Sequence, residues 1–456
     1  MTTPNMADIH RRERSAQAEK VLLYGVFGLL LFGPLAFGAV EPWSIFVVEL
    51  GSTILFLFWI GKQVLLDDQI KIRWNPLFLP MGVFAALIFA QLIFRVTAYP
   101  HDTASIALQY CAYAMLCFLA GQTLLRGAQA RSLALIFSVY GAALAGFALL
   151  QGIASNGKLY WLRQPRSGGW IYGPYVNHNH YAGLMEMLVP IPLIVSLTRL
   201  APPKVRAVAA ATAAVMVGTI FLSGSRGGML AIVAELVILA SLLVKQKRGV
   251  RTAIGIGVFL AIVVGLLVWI GGSELSQRIA TAGPGHSELS SDIRTYINHD
   301  GVRMFLKKPV VGWGLGTFPI VYPEFRTFYT NFFVNEAHND YLQLLVEMGL
   351  LGFATMPWFV VIVYARGVKK IRNWPSEMSG AVTLACILGF SGILVHSAVD
   401  FNLQIPANAA LFYVLCTIAA SEPFAKPARK RRPVRSKPAE EALDPRESLQ
   451  QSATNF

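Results

Sequence analysis

The residue with the clearest chemical potential is a histidine at the start of a long apolar run. The stretch NEAHNDYLQLLVEMGLLG begins with polar residues around His338 and continues into a helix-like segment. An imidazole with a pKa near ~6.5 can accept the proton of a hydroxyl group at neutral pH. His338 is therefore a candidate general base, and the alternative is that it only marks a helix start. Asp340 is expected to cap this helix rather than to orient the imidazole.

Arginines supply a second kind of chemistry. Arg226 lies in the turn SGSRGG, while Arg294 and Arg303 lie in SDIRTYINHDGVRMFLKKP, whose apolar spacing predicts an interfacial amphipathic helix. A guanidinium grips phosphate oxygens and stays charged, and a helix start offers free amides to an anion. These features fit a diphosphate site. Snorkelling or contact with lipid headgroups explains the same residues equally simply.

Further polar groups stand close to apolar runs. WLRQPRSGGW contributes Arg166. In NHNHY, Asn177 and Asn179 are expected to cap a helix, and Asn179 and His180 could instead line a sugar or phosphate site. No cysteine or paired acid accompanies the histidines, which disfavours a metal site. His396 and Asp400 are four residues apart and are predicted to pair on one helical face.

The elements that position these residues are membrane helices. The 456 residues are 55% hydrophobic and 14% charged, whereas about a quarter of a soluble domain is charged. Each spanning helix needs about 20 apolar residues. The sequence therefore predicts an all-α integral membrane protein with about 12 transmembrane helices. The apolar runs begin near Val21, Ser44, Leu77, Ser105, Ser132, Tyr181, Val205, Gly228, Ala253, Tyr341, Ser379 and Ile405.

Basic residues orient these helices. The N-terminus, alternate loops and the tail KPARKRRPVRSKP are basic, which places both termini in the cytoplasm. Orientation also accounts for much of the net charge of +14, so nucleic-acid binding is not expected. We predict a cytoplasmic segment (1–20), a transmembrane domain (21–420) and a basic disordered tail (421–456). Two long loops, about 154–180 and 271–340, fall on the opposite face together with the candidate site residues.

Four motifs in this order resemble the O-antigen ligase and O-antigen polymerase family. They are NHYAG at 179–183, SRGG at 225–228, Arg294 followed by PVVGWGLGTF, and a histidine motif that runs from His338 through Asn339 to Gly349 and Gly352. The resemblance covers roughly residues 152–407. The two glycines of the last motif are expected to form a packing face for the helix.

The resemblance implies a fold and an activity. The fold would be a GT-C-like glycosyltransferase architecture with a large periplasmic loop in the bacterial inner membrane. The enzyme would be metal-independent, would need no cofactor, and would move a glycan from undecaprenyl diphosphate to an acceptor sugar hydroxyl in surface polysaccharide or lipopolysaccharide synthesis. His338 would act as base, and Arg226 and Arg294 would hold the diphosphate. The expected substrate contacts are Arg166, Asn179, His180, Arg303 and Asn339.

Other functions remain open at this stage. Ligases of this family usually have threonine after the last glycine of the histidine motif, where this chain has Phe353. A polymerase, or an enzyme that glycosylates protein hydroxyls, is therefore an alternative. Glu186 and Glu235 within apolar runs would also fit a secondary transporter. Against a transporter, the hydropathy shows no internal duplication.

Overall fold

The computed structural model describes residues 6–67, 70–165, 170–245, 254, 257, 291–330 and 333–424. Within these residues all regular elements are helical, with short 3-10 turns between some helices. The helices in chain order are α1 (Met6–Leu35), α2 (Pro42–Leu65), α3 (Phe78–Ile93), α4 (Pro100–Thr123), α5 (Gly127–Ile153), α6 (His178–Leu188), α7 (Pro190–Leu197), α8 (Pro203–Ser223), α9 (Arg226–Lys245), α10 (Ser291–Lys307), α11 (Phe318–Val321), α12 (Asp340–Lys370), α13 (Met378–His396) and α14 (Pro406–Ala420).

Nine helical segments in this part of the chain are long and apolar enough to cross a membrane, and α3 and α14 are shorter apolar helices. The predicted apolar runs coincide with these helices, except that the run beginning near Ala253 falls largely outside the described residues. The prediction of an all-α membrane protein is confirmed, and the number twelve stays a prediction. Helix α1 begins at Met6, inside the segment 1–20 that was expected to precede the first span.

Local sequence explains where these helices begin. Proline occupies the first turn of α2, α4, α7, α8 and α14, where its missing N–H has no helical partner to lose. The side chain of Asn177 caps α6 by accepting from the amide of Asn179. Pro190 starts α7 directly after Val189, the C-cap residue of α6, so the span His178–Leu197 is interrupted where proline removes a backbone donor.

The innermost helices include those that carry His180 and His396. The span His178–Leu197 and the span of α13 are each 78% buried inside the protein, compared with 22% for α2. Helix α13 contacts α6, α7, α9 and α14. A helix that is buried on all sides contacts other helices and not lipid. Helices α6, α7 and α13 therefore form the centre of the bundle, and α2 lies towards its periphery.

Helix α12 is broken at Gly349, whose φ of 63° and ψ of −168° are not helical. Beyond the break, the amides of Leu350 and Leu351 donate to the carbonyls of Pro309 and Val310 at 2.8 and 3.2 Å. A methyl group on Gly349 would lie 2.3 Å from the Val310 carbonyl oxygen. The expectation that Gly349 provides a regular packing face is wrong, because this glycine opens the helix to a neighbouring loop.

That loop is the glycine-rich segment 309–316, and its backbone amides donate hydrogen bonds to α12. The amides of Gly316 and Phe318 donate to the Glu347 carboxylate at 2.9 and 3.2 Å. The amide of Gly314 donates to the Glu347 carbonyl at 2.9 Å, and Gln91 donates to the same carbonyl at 3.0 Å. The glycine-rich motif is thus a structural clamp around Glu347.

Candidate active site

His338 lies in the segment that leads into α12. Its side chain is 11% exposed, and Nδ1 lies 3.7 Å from Oδ1 of Asp400. This Nδ1 is buried and makes no hydrogen bond within the described residues. The imidazole packs edge-on against the Phe401 ring, with 4.7 Å between centroids. His338 has a φ of 53°, a left-handed conformation that is costly for residues other than glycine and is frequent at functional sites.

Asn339 caps α12, whereas Asp340 does not. The Asn339 side-chain oxygen accepts hydrogen bonds from the amides of Tyr341 and Leu342, both at 3.1 Å. The prediction that Asp340 is the capping residue is therefore wrong. Since the cap uses the oxygen of Asn339, the amide NH2 group is the part that remains for a ligand.

Asp340 instead holds loop 397–405 against the start of α12. Its carboxylate accepts hydrogen bonds from the Ser397 hydroxyl at 2.8 Å, the Leu403 amide at 3.2 Å and the Gln404 side chain at 3.2 Å. Its own amide donates to the Ser397 carbonyl at 2.9 Å. A buried carboxylate with three donors is a rigid anchor. Asp340 therefore fixes the position of the loop that carries Asp400.

Asp400 pairs with His338 and not with His396. Burial raises the pKa of the Asp400 carboxyl, but the adjacent His338 imidazole and the Arg294 guanidinium outweigh burial and hold this pKa well below its usual range. His396 Nδ1 lies 2.9 Å from Oε2 of Glu186, and both side chains are fully buried. The predicted pair of His396 and Asp400 is wrong because α13 ends at His396, so the helical spacing does not continue to Asp400.

Arg294 reaches the same loop from α10. Its Nη1 donates to the Val399 carbonyl at 3.1 Å, and its Nε is buried without a hydrogen-bond partner among the described residues. A buried donor without a partner is uncommon in proteins and asks for an explanation. Arg294 therefore has donor capacity that the described protein does not use.

Arg303 lies on the other side of α10. It is nine positions after Arg294, and nine residues at roughly 100° each amount to a half-turn in excess of complete turns. Its side chain is 52% exposed, with Nη1 3.8 Å from Oδ1 of the buried Asp300. The structure does not bring Arg303 together with Arg294, so its role in substrate binding stays a prediction.

The turn SGSRGG joins α8 to α9. Gly224 ends α8 in the left-handed region with φ 77°, which glycine adopts without steric cost. The Ser225 hydroxyl then accepts from the Gly228 amide at 3.1 Å and caps α9. Arg226 is the first residue of α9 and is exposed. Its side chain makes no ion pair within the described residues.

The start of α9 also abuts loop 397–405. A methyl group on Gly227 would lie 2.3 Å from His396 Cδ2 and 3.1 Å from Val399 Cγ2. Only glycine permits so close an approach. Val399 is therefore contacted from two different helices. The start of α9, which carries Arg226, packs against it, and the Arg294 side chain of α10 donates to its carbonyl.

His180 completes the ring of groups around this loop. Its imidazole packs edge-on against Phe401 with 4.7 Å between centroids, as that of His338 does. Its Nε2 is buried and has no hydrogen-bond partner among the described residues. Asn179 is buried, but Asn177 provides the cap, so Asn179 is not needed for it. Both predicted substrate contacts lie on the first turn of α6.

Two predictions concern absent or undescribed groups. Arg166 lies outside the described residues, so its predicted substrate contact is not located. Among the residues that the structure describes, no three His, Cys, Asp or Glu side chains are grouped as metal ligands would be. The expectation of a metal-independent site stays a prediction.

Loop 397–405 is the part of the site that the motifs did not reveal. Asp400 was expected to pair elsewhere, and Phe401 was not a candidate. The signal in the sequence is the polar interruption HSAVDFNLQIPAN between two apolar runs. A loop between spans that is rich in hydrogen-bonding side chains is a reasonable place to seek functional groups.

The fold and the site define a multi-pass membrane protein with a cluster of histidine, aspartate and arginine at one end of its helical bundle. Residues 211–356 match the family model described as O-antigen ligase, which confirms the resemblance that the motifs indicate. The matched segment includes Arg226, Arg294 and His338, whereas His180 and Asp400 lie outside it. No curated protein matches the chain.

Proposed function

We propose that this protein is a glycosyltransferase of the O-antigen ligase type, which transfers a glycan from undecaprenyl diphosphate to an acceptor sugar hydroxyl on the periplasmic face of the inner membrane. The proposal includes a GT-C-like architecture and cytoplasmic termini. The observation that carries it is loop 397–405, which contacts His338, Arg294 and the start of α9. These are the groups that a diphosphate-leaving reaction needs.

In this proposal His338 removes the proton of the acceptor hydroxyl. The Asp400 carboxylate accepts a hydrogen bond from Nδ1–H of the imidazole, which leaves the lone pair of Nε2 free. The gap of 3.7 Å between Nδ1 and Oδ1 is longer than a hydrogen bond, and such gaps tighten when substrate binds. The charge of Asp400 then stabilises the imidazolium that forms. This arrangement is the usual way to orient a histidine base.

Arginines stabilise the leaving group. The bond between the sugar anomeric carbon and the diphosphate oxygen breaks as the acceptor oxygen forms its new bond to that carbon. Negative charge grows on the diphosphate, and fixed cations at that position lower the barrier. Arg294, with its unpartnered Nε, and Arg226, at an exposed helix start, supply this charge. They take the role that a divalent metal has in many other glycosyl transfers.

An apolar cavity of about 190 Å³ supports a lipid-linked donor. It lies between α3, α4, α12 and α14, and its lining is mostly apolar side chains such as Phe84, Ile88 and Phe359. Asp340 and Gln404 also line it, so the cavity ends at loop 397–405. A cavity of this kind accommodates part of an isoprenoid chain whose diphosphate lies beside the loop.

A glycan profile of a strain that lacks the protein tests the proposal. Accumulation of carrier-linked polymer identifies a ligase, and accumulation of single carrier-linked repeat units identifies a polymerase, which is the second candidate because of Phe353. Unchanged surface and protein-linked glycans would contradict both. The purified protein should also keep its activity in a chelator, and activity that returns only with added divalent metal would refute the role of the arginines.

A further inference from the structure

Besides the apolar cavity, a polar cavity lies at the opposite end of the bundle from His338. Its volume is about 710 Å³, and it forms where α1 meets the end of α2 and the junction of α4 with α5. Its charged lining comprises two carboxylates and six basic side chains. This end of the bundle is the one that the distribution of basic loops predicts to be cytoplasmic. The proposed transfer reaction gives this cavity no role.

The two carboxylates of this basic cavity are already neutralised. The Lys62 side chain is only 5% exposed, and its Nζ lies 2.6 Å from Asp67 Oδ2 and 3.7 Å from Glu19 Oε1. The Ser15 hydroxyl donates to Asp67 Oδ1 at 2.7 Å. Arg126 Nη2 lies 3.8 Å from Glu19 Oε2. The acidic groups thus hold the wall of the cavity together and leave little negative charge for its other cations.

Three basic residues of the cavity make no such contact, although the charge of Lys71 acts on Asp67 at longer range. Within the described residues, the side chains of Arg12, Lys71 and Arg73 form neither an ion pair nor a hydrogen bond. The backbone of Arg73 is fixed by Gln122, whose side chain accepts from its amide at 2.9 Å and donates to its carbonyl at 3.0 Å. The Lys71 amide donates to Gln63 at 3.2 Å. These cations are held beside a cavity with an excess of positive charge, which attracts an anion.

The mouth of the cavity has the character of a membrane interface. In the stretch IKIRW, the basic residues alternate with Ile70, Ile72 and Trp74, which are 63%, 57% and 61% exposed. Tryptophan prefers the level of the lipid headgroups, and apolar side chains beside it reach the acyl boundary. Lys71 and Arg73 therefore lie where the phosphate of a phospholipid is found.

We propose that this basic cavity binds the phosphate group of an anionic phospholipid. Two arginines and a lysine fit a phosphate, because guanidinium groups bind its oxygens in pairs and lysine adds a point charge. Basic pockets between membrane helices on the cytoplasmic side are a known mode of lipid recognition. The same chemistry would accept phosphate from solution, and the exposed apolar residues of IKIRW favour the lipid.

The test compares two triple variants with equal charge changes. Arg12→Ala, Lys71→Ala and Arg73→Ala together empty the cavity of its unpaired cations. The control removes three exposed basic residues at the same end of the bundle, Lys204, Lys369 and Arg372, by the same change to alanine. Purified protein in neutral detergent is titrated with phosphatidylglycerol, phosphatidylcholine or inorganic phosphate, and the thermal unfolding midpoint and the lipids retained in native mass spectra are measured.

Phosphatidylglycerol should raise the midpoint of the wild type and the control, and phosphatidylcholine should not. The cavity variant should bind phosphatidylglycerol about 100-fold more weakly, since each basic residue near a lipid headgroup contributes about a factor of five. If that variant fails to fold, Lys71→Gln with Arg73→Gln gives a milder test with the same expected direction. A response to inorganic phosphate that only the cavity variant loses, without a response of the wild type to phosphatidylglycerol, would keep a phosphate site and overturn its lipid source. An equal response of both triple variants, or no response of the wild type, would overturn the proposal.

Discussion

Loop 397–405 and the glycine-rich segment 309–316 both pack against α12, but they differ in what their polar surroundings are used for. In and directly after the glycine-rich segment, the amides of Gly314, Gly316 and Phe318 all donate to Glu347. Every one of these donors is satisfied inside the protein. The segment belongs to one of the four motifs of the resemblance, yet these amides donate to Glu347 and are not free for a ligand.

The surroundings of loop 397–405 are organised differently. His338 Nδ1, His180 Nε2 and Arg294 Nε are all buried and have no hydrogen-bond partner among the described residues. A buried polar atom without a partner costs about 1–3 kcal/mol. His180 Nε2 and Arg294 Nε are thus kept available for a ligand, and His338 Nδ1 is kept available for the Asp400 carboxylate 3.7 Å away. Membership of a sequence motif therefore does not tell a structural residue from a catalytic one. Whether the buried polar atoms of that residue have hydrogen-bond partners does tell them apart.

The largest effect should come from His338→Ala. Loss of a general base lowers a rate by about 10²- to 10⁴-fold, and we expect glycan transfer by the purified protein to fall within this range. The amount of folded protein in the membrane should stay unchanged. His101→Ala is the control, because His101 is also a histidine but its side chain is 79% exposed. Wild-type transfer by His338→Ala would refute a catalytic role for the groups around loop 397–405.

Arg294→Lys should have the next largest effect. Lysine keeps the charge but loses the planar fork and the unpartnered Nε, so we expect a roughly 10- to 100-fold lower transfer rate. Arg303→Lys, on the opposite face of the same helix, is the matched comparison and also tests the predicted contact of Arg303 with substrate, since a change of less than about twofold would remove that contact. Equal losses in both variants would mean that α10 contributes only general positive charge.

The sequence predicted the helices well because their signal is local. Runs of apolar residues long enough to span a bilayer begin close to the helices described here, from the run near Val21 to that near Ile405. His338, Arg226 and Arg294 were also found from sequence, since a charge at the end of an apolar run is conspicuous. Loop 397–405 brings the segments that carry these residues together.

The pairing of these side chains could not be predicted, because it depends on long-range packing. His396 and Asp400 have helical spacing, but the helix ends between them, and their partners lie far away in sequence at Glu186 and His338. Gly349 was misjudged for a related reason. A glycine on a helix looks the same in sequence whether it packs regularly or breaks the helix for a neighbouring loop.

Gly349→Ala tests the structural half of the comparison. Alanine would have to adopt φ 63° and would place a methyl group 2.3 Å from the Val310 carbonyl oxygen. A strained backbone of this kind costs about 1–3 kcal/mol, so the thermal unfolding midpoint should fall. Gly61→Ala in α2 is the control, since a methyl group there has open space and alanine favours a helix. Transfer per folded molecule should be retained, and its loss without a change in midpoint would give the clamp a role in chemistry.

The smallest effect on transfer should come from Glu336, in the segment before His338, where the expected change is in how stability depends on pH. Burial raises the pKa of this carboxyl to about 8, although Gln343 donates a hydrogen bond to it. A raised carboxyl pKa means that the folded state holds the proton more tightly than the unfolded state, whose pKa is about 4.3. The stabilisation that protonation provides is complete below pH ~4.3 and is lost progressively as the pH rises to about 8.

Glu336→Gln replaces this carboxyl by a neutral group of the same shape. The variant therefore does not lose this stabilisation as the pH rises. The difference between the unfolding midpoints of Glu336→Gln and the wild type should therefore grow in favour of the variant from pH 5 to pH 8 and then level off. Glu324→Gln, at an exposed position, should follow the wild-type profile. A constant difference across this range would show that Glu336 does not titrate there. The buried polar atoms of the segment before His338 would then all have hydrogen-bond partners, like those of the glycine-rich clamp. The segment would differ in this from the surroundings of loop 397–405.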